Sequence, residues 1–279
     1  MKKILITGAN SYIGTSFEKY IADNFGNDYQ VDTLDMIGDA WRKADFSGYD
    51  SIFHVAGIAH QKETKENSHL YYEVNCDLAV ETAQKAKADG VGHFVFLSSM
   101  SVYGMETGVI TAQTEPDPKS NYGRSKLMAE QRISPLAADD FTVCIMRPPM
   151  VYGKDCKGNF AKIKKLVEKL PIFPRVSNER SMIYIDNLSA FVHECIVQKR
   201  GGVCLPQNDD YVSTVDLAKE IGKVLNKKIF FDPLTGLAVK ILRHFHPTFK
   251  KAFGSLTYVK DVSVKYSVVS NEESIRRSV

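Results

Sequence analysis

No cysteine pattern organises this chain. Its 279 residues hold five cysteines, Cys76, Cys144, Cys156, Cys195 and Cys204, odd in number, widely spaced and without a CxxC. That reads as reduced thiols in a cytoplasmic protein and excludes a disulfide framework or a zinc-finger-type site. The histidines, at 54, 60, 69, 93, 193, 244 and 246, show no metal-ligand spacing, so no metal is expected. No apolar run approaches a membrane span. The run after Met1-Lys2-Lys3 is too short for a signal sequence and reads as a first strand. Charge of one sign is also missing: the net charge is +3, which gives no sign of nucleic acid as a partner. There is no internal repeat or low-complexity segment. What is present, 44% hydrophobic and 25% charged residues, is ordinary for a globular chain, and the length suits one main domain with an annex.

Short apolar runs alternate with helical patterns over the first half. Strands are expected at 3–7, 29–35, 51–56, 92–99 and 141–147, with helices at 13–25, 70–89 and 120–138. This rhythm indicates βαβ units and a parallel sheet covered on both faces. Only fifteen residues, 36–50, join the second strand to the third. With 41–46 as a candidate short strand of its own, a helix plus that extra strand does not fit well, and a stripped-down connection is expected. After Arg147 prolines punctuate the chain and the elements shorten. Residues 182–185 and a helix over 187–198 read as a return to the main sheet, and Ser213 or Thr214 opens a helix over 213–225. The expected division is a dinucleotide-binding domain at 1–150 and about 181–200, and a smaller, discontinuous substrate domain at 151–180 and 201–279.

Thr7-Gly8-Ala9-Asn10-Ser11-Tyr12-Ile13-Gly14 follows a strand and opens a helix, the context of a dinucleotide fingerprint. Gly8 permits the tight turn, the helix start faces a pyrophosphate, and Gly14 lets helix pack on strand. Ser11 stands where the middle glycine is usual. Asp35 ends the second strand, at the spacing of the acid that accepts hydrogen bonds from a ribose 2′-hydroxyl. It favours NAD over NADP; Asp32 is its competitor, and Arg42 is the nearest basic residue that would weaken the preference. Further on, Tyr122-Gly123-Arg124-Ser125-Lys126 sets a tyrosine and a lysine four residues apart on one helix face. An ammonium beside a phenol favours the phenolate, so Lys126 is expected to lower the Tyr122 pKa and make it an acid/base for an alcohol oxygen.

With these residues, the chain resembles the extended short-chain dehydrogenase/reductases, and within them the NAD-dependent epimerase/dehydratase family typified by UDP-galactose 4-epimerase. The matching pieces run through nearly the whole chain: 7–14, Asp35, Asp45-Phe46, 54–57, Val74-Asn75, 96–104 (FLSSMSVYG), 122–126, 147–153 (RPPMVYG) and 180–186 (RSMIYID). The resemblance implies a Rossmann-type doubly wound α/β sheet and roles position by position. Ser99 would position the substrate hydroxyl and relay its proton, with Ser98 as its cofactor-side neighbour and the alternative if the register slips by one. Tyr122 would be the general acid/base, and Lys126 would hold the nicotinamide ribose. Gly8, Asn10, Ser11, Tyr12, Ile13, Gly14, Asp35, Asp45, Phe46, Val55, Ala56, Gly57, Asn75 and Pro149 would line the cofactor. Met100, Ser101, Asn159, Phe160 and Arg180 would face the substrate, Arg180 through its diphosphate. His54 reads as a core histidine at a strand end.

Members of this family act on nucleotide sugars by hydride transfer at C4. The resemblance to its 4,6-dehydratases or decarboxylating members would need acids after the catalytic serine, where Met100 and Ser101 stand instead. What remains is NAD-dependent 4-epimerisation of a UDP-hexose-type sugar through a transient 4-keto sugar. The alternatives are NAD(P)H-dependent reduction of a 4-keto-6-deoxy sugar and a non-catalytic NAD-sensing or binding role. Residues 178–187 resemble members linked with surface-polysaccharide pathways. The family often forms homodimers through a four-helix bundle, here from 70–89 and 120–138. One stretch stands apart: Leu237, Ile241, Leu242 and Phe245, with Lys240, Arg243, Lys250 and Lys251. It is expected to pack its apolar stripe on the core; the alternative is a basic amphipathic element on a membrane surface.

Overall fold

Every strand of the central sheet runs parallel, in a computed structural model that describes residues 1–59, 61, 63–245, 247–260 and 267–279. His60 and His246 lie outside the described residues, as do the side chains of Arg243, His244 and Lys251. In chain order the strands are β1 (Lys2–Thr7), β2 (Tyr29–Leu34), β3 (Ser51–His54), β4 (His93–Leu97), β5 (Gly108–Ile110), β6 (Thr142–Met146), β7 (Met150–Tyr152), β8 (Ile172–Pro174), β9 (Met182–Tyr184), β10 (Gly202–Cys204), β11 (Phe230–Asp232) and β12 (Leu256–Tyr258). The helices are α1 (Tyr12–Phe25), α2 (Ser68–Tyr72), α3 (Leu78–Ala88), α4 (Asn121–Ile133), α5 (Asn159–Lys169), α6 (Ile185–Val197), α7 (Thr214–Val224), α8 (Pro233–Phe245), α9 (Pro247–Phe253) and α10 (Asn271–Ser278).

The chain divides into two units. The first comprises 1–104, 116–148 and 188–206 and carries the six-stranded sheet in the order β10-β6-β4-β3-β1-β2. After β2 the chain crosses to the other side of β1, so the order reverses at the β1–β3 junction, and the carboxyl ends of these strands form the crevice where doubly wound sheets take ligands. Strands β3 and β4 are buried throughout, which matches their lack of polar–apolar alternation. The core joins Trp41, Phe46, Phe94, Phe96 and Phe141 to alanines of α3 and α4, whose small side chains let these helices lie close to the sheet. The connection at 36–50 is indeed stripped down. It holds one 3-10 turn, Ala40–Lys43, and not the strand expected at 41–46, because Trp41 and Phe46 turn into the core.

The second unit comprises 105–115, 149–187 and 207–279 and holds three two-stranded parallel pairs, β5–β12, β7–β9 and β8–β11. The expected boundaries shift accordingly. Strand β9 pairs with β7 in this unit, and β10 is the strand that joins the central sheet, on β6. The loop at 105–115, expected in the first domain, joins the second unit through β5. The expected helix at 70–89 is also interrupted: a π-helical turn, Glu73–Asp77, separates α2 from α3. Three of the widely spaced cysteines, Cys144, Cys195 and Cys204, converge in the first unit, buried, with their sulfurs within 4.8 Å of one another. Among the described residues no helix is long and apolar enough to cross a membrane.

Candidate active site

The turn after β1 is shaped by two left-handed residues, Gly8 (φ 120°) and Asn10 (φ 62°). A Cβ on Gly8 would lie 2.6 Å from the Ala56 amide nitrogen, so only glycine lets this turn meet the loop after β3. Ser11 caps α1, its Oγ accepting from the Gly14 amide at 3.2 Å. A Cβ on Gly14 would lie 2.6 Å from that same Oγ and 3.1 Å from side chains of Ile6 and Val55. The departure from the usual glycine therefore has a structural use: Ser11 satisfies the Gly14 amide at the helix start. Tyr12 and Ile13 begin the helix and are half-buried.

Asp35 follows β2, is exposed, and accepts from the Ile37 amide through Oδ1 at 2.9 Å. Asp32, its competitor, is committed to Gln30 Nε2 and the Tyr49 hydroxyl, at 2.9 and 3.0 Å. Arg42 is committed as well: it ion-pairs with Glu81 and Asp39 and stacks over Trp41. Arg42, the basic residue that would weaken the preference for NAD, is thus engaged by carboxylates. Asp45 is exposed and caps the Ser47 amide, whereas Phe46, expected to line the cofactor, lies in the core with no exposed surface. Val55 and Ala56 are nearly buried and Gly57 is exposed.

Asn75 sits in the π turn with no exposed surface. Its Oδ1 accepts from the Ile58 amide at 2.8 Å, and its Nδ2 donates to the Ile58 carbonyl and to Ser125 Oγ, both at 3.2 Å. The extra residue of the π turn aims this amide at two other elements, so Asn75 ties the loop after β3 to α4. A Cβ on Gly57 would lie 2.8 Å from Asn75 Oδ1 and 3.3 Å from Lys126 Nζ.

Helix α4 starts at Ser120, whose Oγ accepts from the Gly123 amide at 3.1 Å. Tyr122, Lys126 and Glu130 follow at intervals of four, on one face. Gly123 has no space for a side chain, since a Cβ would lie 2.6 Å from the Ser101 carbonyl oxygen. That close approach sets α4 against the turn Met100–Tyr103, which Ser99 caps by accepting from the Ser101 amide at 3.1 Å. Ser99 also donates to the Ser101 hydroxyl at 3.1 Å and hydrogen-bonds Tyr122. The three expected catalytic side chains, Ser99, Tyr122 and Lys126, are therefore gathered at the carboxyl end of β4. Ser98 is not oriented with them: its hydroxyl is given to Glu130, in a buried network where Arg147 holds the same carboxylate and donates to the Tyr103 hydroxyl at 2.9 Å. The Glu130–Arg147 pair and the Gly123 contact carry no motif signal beyond an RPP and a YG, and sequence reading passes over both.

The electrostatics reverse one expectation. Burial pushes the Tyr122 phenol above its ordinary value, the Ser99 bond draws it partly back, and Tyr71 adds to the rise. Burial pulls the Lys126 ammonium down to about 8, against the Glu130 carboxylate. Lys126 Nζ donates to the Leu97 carbonyl at 2.8 Å and lies over the Phe96 ring. Desolvation thus outweighs the mutual help that a phenolate and an ammonium would give each other. His54 is the core histidine expected: Nδ1 pairs with Thr7 Oγ1 at 2.8 Å, and burial and the Lys126 charge hold it down to about 3.

In the second unit, Pro149 precedes β7 and Asn159 opens α5, half-buried. Phe160, expected at the substrate, is instead core, stacked on Tyr152 at 5.2 Å. Arg180 is partly buried, and its Nη1 donates to the Gly254 carbonyl at 2.8 Å; burial holds its guanidinium below its ordinary value, against the Glu106 carboxylate.

The first unit's residues fit a dinucleotide: a glycine turn open to a helix start, an exposed acid at the end of β2, and a glycine cradle beside Lys126. Comparison with known proteins agrees. The model of the NAD dependent epimerase/dehydratase family matches residues 4–204. The chain is 33% identical to a UDP-glucose 4-epimerase of Vibrio cholerae, over 81% of this chain and 76% of that one. It is 26% identical to an N-acetyl-alpha-D-glucosaminyl-diphospho-ditrans,octacis-undecaprenol 4-epimerase of Escherichia coli O157:H7, over 81% and 73%. In fold it is similar to a UDP-glucuronic acid 4-epimerase from Bacillus cereus solved with NAD, with a TM-score of 0.75, 20% identity, and 99% and 97% of the two chains covered.

Proposed function

This chain belongs to the NAD dependent epimerase/dehydratase family of the extended short-chain dehydrogenase/reductases, and from that premise we propose that it is an NAD-dependent 4-epimerase of nucleotide-diphosphate sugars. The observation that carries the reading is the convergence of Ser99, Tyr122 and Lys126 beside the β1–β3 crevice, with no carboxylate at Met100 or Ser101. Gly8, Asn10, Ser11, Tyr12, Ile13 and Gly14 would hold the diphosphate of NAD. Asp35 would hold its adenine ribose, Asp45 the adenine side, and Val55, Ala56, Gly57 and Lys126 the far ribose. NAD supplies the hydride acceptor and donor for the sugar C4.

The remaining chemistry belongs to the chain. Tyr122 takes the proton of the sugar 4-hydroxyl as that carbon is oxidised and returns it to the 4-oxygen when the 4-keto sugar is reduced on its other face, so no proton or electron is gained or lost overall. Ser99, bonded to Tyr122, orients that oxygen. Lys126, pulled down to about 8 by burial, still carries its charge at neutral pH, and on this reading that charge favours the ionised phenol that accepts the 4-hydroxyl proton. Ser101 and Met100 would flank the sugar; within the second unit, Asn159 and Arg180 are the residues proposed for substrate contact. A homodimer through α2, α3 and α4 goes with the same reading.

The test is to incubate the purified protein and NAD with UDP-glucose and with UDP-N-acetylglucosamine, and to look for the C4 epimers by NMR. Epimer formation without net NADH supports the proposal. No epimer from either, together with NADH oxidation by a 4-keto-6-deoxy sugar nucleotide, overturns it in favour of a reductase.

A further inference from the structure

Helix α8 is apolar on two opposite faces. Gly236 and Val239 face inward: Val239 is 7% exposed, and a Cβ on Gly236 would lie 2.2 Å from the Arg175 carbonyl oxygen of the chain leaving β8. Of the stripe expected to pack on the core, Leu237, Ile241 and Phe245 face outward instead, Leu242 is 36% exposed, and Leu234 joins the outer face. Leu234, Leu237, Ile241 and Phe245 follow at one-face spacing and are 77%, 57%, 54% and 75% exposed. The reason is the glycine at 236, which turns the narrow side of the helix onto β8 and leaves the wide side out. The stripe spans about 16 Å along the helix axis. In the β11–β8 pair that precedes α8 in the unit, Phe230 and its register partner Ile172 are exposed too, at 64% and 50%. A surface helix that is apolar on its outer face needs a cover.

Charge identifies the cover. From Pro233 to Lys260 the sequence has no aspartate or glutamate and five basic residues, Lys240, Arg243, Lys250, Lys251 and Lys260, in a chain whose net charge is only +3. Lys240 is on α8, exposed, and the exposed Lys250 is on the helix that follows. A second copy of this chain would bring the same basic segment against itself, which like charge disfavours. A bilayer carrying anionic headgroups offers what both features require, acyl chains for the stripe and negative charge for its flanks.

We propose that α8 docks this protein on an anionic membrane surface, lying in the interface plane with Leu234, Leu237, Ile241 and Phe245 inserted. The experiment is co-sedimentation of the full chain with vesicles of phosphatidylcholine alone, and with about a quarter phosphatidylglycerol. Binding to the anionic vesicles is expected to be at least about tenfold tighter than to the neutral ones, and to weaken with salt. The Leu237→Ser/Ile241→Ser/Phe245→Ser variant is expected to lose about tenfold or more of it while keeping its circular dichroism and NAD affinity. Lys240→Glu/Lys250→Glu, which leaves the stripe intact, is expected to lose the preference for the anionic lipid. No sedimentation with anionic vesicles at low salt overturns the proposal. So does a stripe variant that binds like the unaltered chain, or a chain that ignores vesicles and is dimeric until the stripe is made polar, which would give the face to a second copy.

Discussion

Lys126 and Tyr122 are ionisable side chains held in a place that favours the neutral form of both. The lysine shows what this does to stability. Its pKa is about 8 in the folded chain and near 10.5 when unfolded, so below pH 8 both states are charged and the folded one carries the full burial penalty. Between pH 8 and 10.5 the unfolded chain holds more protons, and stability rises with pH. Lys126→Met removes the charge. After the lost bond to the Leu97 carbonyl is counted, the variant is expected to be about 2 kcal/mol more stable at pH 7 in urea unfolding, with turnover abolished. Equal or lower stability would mean that the ammonium is a structural anchor. Tyr122→Phe is expected to remove turnover by at least about a hundredfold and to leave NAD affinity unchanged, read by fluorescence titration and NMR of products. Both positions were legible from a four-residue spacing. The direction of the Tyr122 shift was not, because spacing reports the neighbouring charge and burial has no signature at a single position.

Helix α4 and the π turn explain why those side chains meet. Ser120 fixes where α4 begins, and Gly123 fixes how near it comes to the turn that carries Ser99. In Gly123→Ala the new methyl meets the Ser101 carbonyl at 2.6 Å, which backbone must yield to relieve. The helix is expected to move outward, costing about 1–3 kcal/mol in denaturant unfolding and lowering kcat more than NAD affinity. An unchanged kcat would show that the Ser99–Tyr122 contact tolerates that shift. The helix at 70–89 reads as continuous because a one-position shift in its apolar pattern is too small to read as a break between two helices, and the chain absorbs it in the π turn. Asn75 is the residue that the bulge serves, and its motif was visible although its reason was not. Phe46 and Phe160 mark the opposite failure: motif position suggested ligand contact, and packing placed both rings in cores.

The two units are each closed by segments distant in sequence, and acid sensitivity follows from one of them. His54 is neutral when folded, with a pKa of about 3, and titrates near 6.5 when unfolded. The unfolded chain therefore gains the proton first as pH falls, and stability is lost between pH 6.5 and 3. Between pH 7 and 4.5 this single group is expected to remove about 3 kcal/mol. Buried His93, also held below its ordinary value, acts in the same direction, so the measurement is the difference between the unaltered chain and His54→Gln. Trp41, the only tryptophan, is buried in the first unit with His54, and its fluorescence reports that unit's unfolding. Parallel pH dependence in the two chains would remove His54 as the cause.

The sequence by itself determined what is local or strictly ordered along the chain. The glycine turn, Asp35 at its spacing from that turn, the caps at Ser11, Ser120 and Ser213, and the Tyr122–Lys126 face each depend on residues within a turn or two, or on one βα repeat. Tertiary structure alone decided which strand completes the central sheet, where three distant cysteines meet, which glycine brings α4 to Ser99, and which face of α8 is left outside. Those outcomes depend on contacts between residues far apart in the chain, where burial, close backbone approach and desolvation act. A linear pattern of polar and apolar residues records that a side chain is apolar, but not what will cover it.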